Sequence, residues 1–210
     1  MKKIFERTSL LIIDVQNDFC PGGTLPVPKG DEVVPIINAI MVHFGSVVAT
    51  QDWHPPGHVS FASTHAGKAP FDKVMVNGIE QVLWPDHCVQ GSSGAAFHPD
   101  FDASRLHLIL RKGLRPNLDS YSAFFENDRK TPTGLASYLK EINVNTVWVC
   151  GLAADVCVFY SAMDAVRLGF ETVIIEDAVR GVDMPAGNVL RTRDKMKVAG
   201  IRFLRSGDME

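Results

Sequence analysis

TVWVCGLAADVC, residues 146–157, decides how this chain is read. Its first half is apolar and rich in β-branched residues, which suits a strand buried on both faces of a sheet. Small residues follow at Gly151, Ala153 and Ala154, and beyond them the apolar period changes. Val156, Phe159, Tyr160, Met163 and Val166 share one helical stripe that Asp155 can cap and Gly169 can end. A strand passing through a short turn into a helix is half of a parallel crossover.

The same alternation runs outward in both directions. SLLIID (residues 9–14) reads as a central strand, GDEVVPIINAIMVHF (30–44) as a helix capped by Asp31 with Pro35 tolerated near its first turn, and SVVATQD (46–52) as a second strand. RLHLILRK (105–112), ETVIIED (171–177) and IRFLRS (201–206) supply further strands. TPTGLASYLKEIN (131–143), opened by Thr131 or Thr133, and GNVLRTRDKMKVAG (187–200) supply helices. The expectation is an α/β chain, a single three-layer α/β/α domain over residues 1–210 with a mainly parallel central sheet of about six strands. The order of the strands is not legible. The alternation breaks over about residues 52–104, a loop-rich region dense in Pro, Gly, His and aromatics, and a loop that long is usually functional.

Composition narrows the class. The 210 residues are 46% hydrophobic and 21% charged, enough to bury a substantial core, and the formal net charge is -3. The 21 basic residues are scattered, with Lys2-Lys3, Arg111-Lys112 and Arg129-Lys130 the adjacent pairs, so neither nucleic acid nor a membrane surface is expected as a partner. The opening MKKIFER resembles a positive n-region, but Asp14 cuts off the apolar stretch that follows, so no signal peptide is expected. Four cysteines, Cys20, Cys88, Cys150 and Cys157, without paired spacing point to a reducing, cytoplasmic setting.

Reactive side chains sit where apolar runs end. Asp14 closes SLLIID and Lys112 closes RLHLILRK, positions at which a charge is expensive unless paired or used. Cys157 lies two residues beyond the expected cap of a helix, whose macrodipole should favour thiolate, and the small residues before it let backbone amides approach an oxyanion. Each has a plainer reading: a buried small hydrophobe for the thiol, a structural ion pair for the charges. Their coincidence at strand ends favours covalent catalysis, because ligands in open parallel sheets bind outside the carboxyl ends of the strands. Asp52 and His54, two apart in an extended segment, point the same way and suit Zn2+, Fe2+ or Mn2+, with His58 or His87 as a third ligand. His43, His65, His98 and His107 are expected in surface or packing roles. Phe19 and Trp84 can wall a pocket for a flat ring. A thiol redox sensor with a closed structural zinc site is the reading from a different class, and a hydrolase of carbamoyl amides or enol ethers is the nearer rival.

LLIIDVQNDFCPGG, VATQDWHPPGHVSFA, LWPDHCVQGSSGAAFHP, KGLRPNLDSYSAF and VCGLAADVCV followed by SAMDAVRLGF together resemble nicotinamidases within the isochorismatase-like hydrolase superfamily, from about Leu10 to Asp183. The resemblance implies the isochorismatase-like fold and metal-dependent hydrolysis of nicotinamide to nicotinic acid and ammonia through a cysteine thioester, a step of NAD salvage, with activity on pyrazinamide. It also implies roles by position. Cys157 would be the nucleophile, Asp14 the proton-transfer group and Lys112 its charged partner. Asp52, His54 and His87 would hold one divalent metal ion, with His58 and Ser60 in its surroundings. Phe19 and Trp84 would sandwich the ring. Leu152 and Ala153 would contact substrate across a cis peptide bond, and the amides of Ala153 and Cys157 would form the oxyanion hole. Ala154 and Val156 stand where the family is often polar, which alters pocket polarity. A homo-oligomer is left open.

Overall fold

The computed structural model describes residues 5–209; the Lys2-Lys3 pair lies outside them. Six strands form one sheet: β1 (Phe5–Ile13), β2 (Phe44–Asp52), β5 (Leu108–Lys112), β6 (Thr146–Leu152), β7 (Glu171–Arg180) and β8 (Arg202–Leu204). Their order across the sheet is β5-β2-β1-β6-β7-β8, and every neighbouring pair is parallel. The chain builds outward from β1 to β2 and β5, then returns to the other side of β1 for β6, β7 and β8. The reversal lies between β1 and β6, and in open parallel sheets the ligand crevice forms at such a switch point.

Alternation along the strands divides the core in two. Leu10 and Ile12, Val47 and Ala49, and Trp148 and Cys150 pack with Val33, Val34, Ile37 and Ile40 of α1 (Val33–Ile40). Leu11 and Ile13, Val48, and Val147 and Val149 pack on the opposite face. They meet Leu135 and Leu139 of α2 (Leu135–Glu141), Val158, Ala162 and Ala165 of α3 (Cys157–Arg167) and Met196 of α4 (Asn188–Val198). Successive residues of a strand face opposite sides, so a sheet covered on both faces needs an unbroken apolar run, as SLLII provides. The three-layer α/β/α arrangement expected from the sequence is the one observed.

Several local expectations are corrected. Asp31 does not cap α1; it lies in a 3₁₀ turn (Gly30–Glu32) ahead of the helix and makes no capping bond. Asp155 does not cap α3 either. Its carboxylate accepts from Val182 N (2.9 Å), Asp183 N (3.0 Å) and Asn188 Nδ2 (3.1 Å), tying the loop after β7 to the turn before α3. Neither Thr131 nor Thr133 caps α2: Gly134 holds that position, and the Thr133 hydroxyl, one residue earlier, accepts from Leu135 N at 3.3 Å. The loop-rich region also contains an antiparallel hairpin, β3 (Lys73–Val76) and β4 (Ile79–Val82), turning at Asn77-Gly78 with positive φ at both residues. Asn-Gly is the pair that such two-residue turns select.

Gly151, in β6, has φ +102°, and a Cβ there would fall 2.1 Å from the Ile13 carbonyl oxygen of the adjacent strand. The obstacle is backbone and cannot rotate away. Gly151→Ala is therefore expected to cost about 3 kcal/mol or more, the sum of left-handed backbone and overpacking terms. Urea denaturation midpoints of the two proteins measure it; an unchanged midpoint would mean that β1 and β6 separate more easily than their pairing implies.

Candidate active site

Four strand ends converge at the switch point. Asp14 follows β1 with φ +48°, a conformation that turns its carboxylate back across the sheet end. Thr50 of β2 holds it there, donating from Oγ1 to Asp14 Oδ1 at 2.6 Å while accepting from Asp14 N at 3.2 Å. Asp52 and Lys112 are register partners at the ends of β2 and β5. The Lys112 ammonium is 2.8 Å from Asp14 Oδ2, hydrogen-bonds Asp52 Oδ1 and the Ser120 carbonyl (3.1 Å), and lies 3.5 Å from Cys157 Sγ. Cys157 itself is the first residue of α3, immediately past the turn that leaves β6.

All four groups are buried, and burial sets their protonation. For Asp14, burial outweighs the Lys112 ammonium and, aided by the Asp52 charge, pushes the carboxyl up to about 6. Burial acts the same way on Asp52, but there Lys112 and the neighbouring imidazoles win and hold it well below the usual carboxylate range. Two carboxylates of opposite tendency flank one ammonium, the pattern that separates a proton carrier from a permanent charge. Lys112 stays cationic: burial opposes its charge, and the two carboxylates more than restore it. Burial pushes the Cys157 thiol well above its ordinary value, with the carboxylates adding to the effect and Lys112 opposing it. The expectation of a resting thiolate drawn from the macrodipole is thus corrected: the thiol keeps its proton until a base removes it. Asp14 Oδ2 faces the Lys112 ammonium at 2.8 Å in a wholly buried ion pair.

Next to this group Asp52, His54 and His87 bring three ligand atoms within 4.8 Å of one another. His54 Nδ1 is tied to the Gly113 carbonyl at 3.1 Å and His87 Nδ1 to the Pro85 carbonyl at 2.7 Å. With Nδ1 of each ring turned to a carbonyl, Nε2 is the atom left to face a cation, and both Nε2 atoms lie 3.8 Å from Asp52 Oδ2. That separation is too long for a hydrogen bond and near the ~3.4 Å edge of a tetrahedron with ~2.1 Å ligand bonds. Burial, followed by the nearby His54 charge, pushes His87 down to about 4; for His54 the Asp52 carboxylate outweighs burial and shifts it up. One carboxylate and two carbonyl-anchored imidazoles are a donor set that fits a borderline divalent cation. Gly113 makes the approach feasible, since a Cβ on it would sit 2.4 Å from the His54 ring.

His58 is not part of that trio. Its Nδ1 pairs with Ser60 Oγ at 2.7 Å and its Nε2 with the Leu118 carbonyl at 3.4 Å, and its ring stacks on His54 at 4.3 Å. Phe61 is wholly buried with its ring edge-on to His54, His58 and His87, fixing the three imidazoles as one packed unit. Of the histidines expected to be structural, His107 Nδ1 accepts from Val47 N at 3.1 Å, and His65 Nε2 pairs with the Val59 carbonyl at 2.8 Å.

A small pocket opens over these groups, lined by Phe19, Trp84, Ala153, Val156 and Cys157 among others. The peptide Leu152–Ala153 is cis, as the resemblance implied. The expectation for Leu152 is corrected, since its side chain is fully buried in the core and Ala153, not Leu152, lines the pocket. Of the two apolar departures only Val156 lines the pocket; Ala154 does not, and its N–H is bonded to the Arg180 carbonyl at 2.7 Å. Val156 N and Val158 N donate to the Ala153 carbonyl, whereas the N–H groups of Ala153 and Cys157 have no acceptor among the described residues. Gln16, Asp119 and Tyr121 carry no sequence-based expectation. Gln16 fixes Asp52 by donating to its carbonyl (2.9 Å) and accepting from its N–H (2.8 Å), and Asp119 and Tyr121 line the pocket.

The sequence model of the isochorismatase domain matches residues 8–190. The chain belongs to the isochorismatase family. Within that family it is similar to the nicotinamidase of Acinetobacter baylyi, 46% identical over 94% of this chain and 92% of the relative. Among solved structures, an Acinetobacter baumanii nicotinamidase/pyrazinamidase superposes with a TM-score of 0.96 at 46% identity, covering 99% of this chain and 100% of that one. PnC1 from L. infantum, in complex with nicotinate, superposes at 0.85 with 40% identity over 98% and 96%. A Pyrococcus horikoshii pyrazinamidase in complex with zinc superposes at 0.76 with 34% identity over 95% and 99%. This member of the isochorismatase family is a hydrolase of the nicotinamidase group. Among the described residues no helix is long and apolar enough to cross a membrane.

Proposed function

We propose that this enzyme hydrolyses nicotinamide to nicotinic acid and ammonia, accepts pyrazinamide, and works as a metal-dependent cysteine hydrolase in cytoplasmic NAD salvage. The observation that carries this reading is the convergence on one ring-walled pocket of the Cys157 thiol, the Asp14–Lys112 pair and the Asp52, His54 and His87 donor set. Relatives named for nicotinamidase and pyrazinamidase activity, and a neighbour in complex with nicotinate, support the substrate.

In the proposed reaction Phe19 and Trp84 hold the ring between them. Asp52, His54 and His87 would hold a divalent ion, which would supply Lewis acidity beside the ring. Cys157 Sγ attacks the carboxamide carbon while its proton passes to Asp14 Oδ2. The new C–S bond leaves a tetrahedral oxyanion, which accepts from the Ala153 and Cys157 N–H groups. Asp14 then protonates the amide nitrogen, the C–N bond breaks and ammonia leaves. In the second half Asp14 takes a proton from water as its oxygen attacks the thioester. The C–S bond breaks, the proton returns to sulfur, and the acid is released. Lys112 keeps Asp14 in place and Asp52 anionic throughout.

The test is ammonia release from nicotinamide by metal-stripped protein, then after separate restoration of Zn2+, Fe2+ and Mn2+. Stripping is expected to lower turnover by about a hundredfold, the scale of lost substrate positioning, and at least one ion is expected to restore it. No activity with any of the three overturns the reading.

A further inference from the structure

Gln81 is the one buried residue of the β3–β4 hairpin, which otherwise lies half-exposed or exposed outside the main sheet. Burying a primary amide costs free energy unless its hydrogens are bonded. Gln81 Nε2 lies 2.7 Å from the Val82 carbonyl, 2.9 Å from Asp119 Oδ2 and 3.2 Å from the Tyr121 hydroxyl. The amide orientation is fixed, because the flipped form would set Oε1 against a carbonyl and a carboxylate. The Tyr121 oxygen in turn accepts from Trp84 Nε1 at 3.1 Å. The Trp84 backbone is anchored at its other end, with its N–H on the Ser60 carbonyl and its carbonyl on Ala62 N, both at 2.8 Å. The indole is thus held at two points, and the outer one leads to the hairpin.

We propose that Gln81 is a positioning residue for the ring-binding wall, setting the tilt of Trp84 through the Tyr121 hydroxyl while Asp119 anchors the amide. The proposal rests on Trp84 being that wall. Gln81 touches neither the thiol nor the Asp52, His54 and His87 set, so its influence falls on how tightly the ring is held. The hairpin is then a part of the substrate site that never meets the substrate.

Gln81→Met keeps the length and removes both donors. In the metal-loaded enzyme it is expected to raise KM for nicotinamide about tenfold while kcat changes by less than about threefold. Tyr121→Phe is expected to act in the same direction. The double variant is expected to be no worse than Tyr121→Phe alone, since the two residues act through one bond chain. Metal content by mass spectrometry should match wild type in all three. A folded Gln81→Met protein with unchanged KM, or effects of the two substitutions that multiply, overturns the proposal. If Gln81→Met does not fold, milder Gln81→Asn decides it by the same KM criterion and the same double variant. Trp84→Ala with unchanged KM would instead sink the ring-wall reading, and wild-type protein releasing no ammonia would sink the substrate itself.

Discussion

Cys157→Ala is expected to lower ammonia release from nicotinamide by about 10⁴-fold or more, the scale on which nucleophile deletions fall in covalent hydrolases. That is about 5.5 kcal/mol of transition-state stabilisation, and no other group near the carbonyl can replace it. Lys112 is held cationic by two carboxylates, and Asp14 is positioned to carry a proton and not to attack. The substitution removes one buried sulfur from the first turn of α3 and leaves Asp52, His54 and His87 untouched. Metal content and thermal unfolding are therefore expected to remain close to wild type. That separates loss of chemistry from loss of structure. Turnover near normal in this variant would overturn the thioester route.

Lys112→Met carries the largest expected effect on stability. Lys112 is 1% exposed, and its ammonium is the shared partner of Asp14, Asp52 and the Ser120 carbonyl. Methionine fills the space of the stem but leaves two buried carboxylates without their shared cation. Breaking a buried ion pair from one side costs about 3–5 kcal/mol, and here two acids lose the same cation. Urea denaturation should register a loss of that order together with loss of activity. Adding Asp14→Asn to Lys112→Met removes one of the stranded charges and is expected to recover part of the stability but none of the turnover. A Lys112→Met protein as stable as wild type would mean that the carboxylates are neutralised by protons and not by the ammonium.

Asp14 and Lys112 were legible because each ends an apolar run, where a charge is conspicuous, and Asp52 through its spacing of two from His54 just past a strand. Cys157 was legible through the change from strand to helix period after Gly151. Its protonation was not, because burial depends on what the rest of the chain packs around it. Asp155 shows the same limit. It has the residue type and place of a helix cap, yet two donors from the loop after β7 and one from the first residue of α4 compete for its carboxylate and win. Strand order was hidden because crossovers of similar length can reach either side of β1. The hairpin carried an Asn-Gly signal, but short, exposed flanking strands gave little apolar alternation to go with it. Gln81, Asp119 and Tyr121 offered nothing in isolation: their roles exist only between side chains some forty residues apart.

The placement of the reactive groups on the adjacent strands β5, β2, β1 and β6 has a consequence for how activity is acquired. These strands are drawn from across the chain, so the contacts of Lys112 with Asp14, Asp52 and Cys157 each close a long loop and have to wait for the neighbouring strands to pair. No local segment can form a partial site with partial activity. Hydrolysis regained during refolding would then report completion of the four central strands and not of any one helix or turn, which makes turnover a clock for assembly of the sheet.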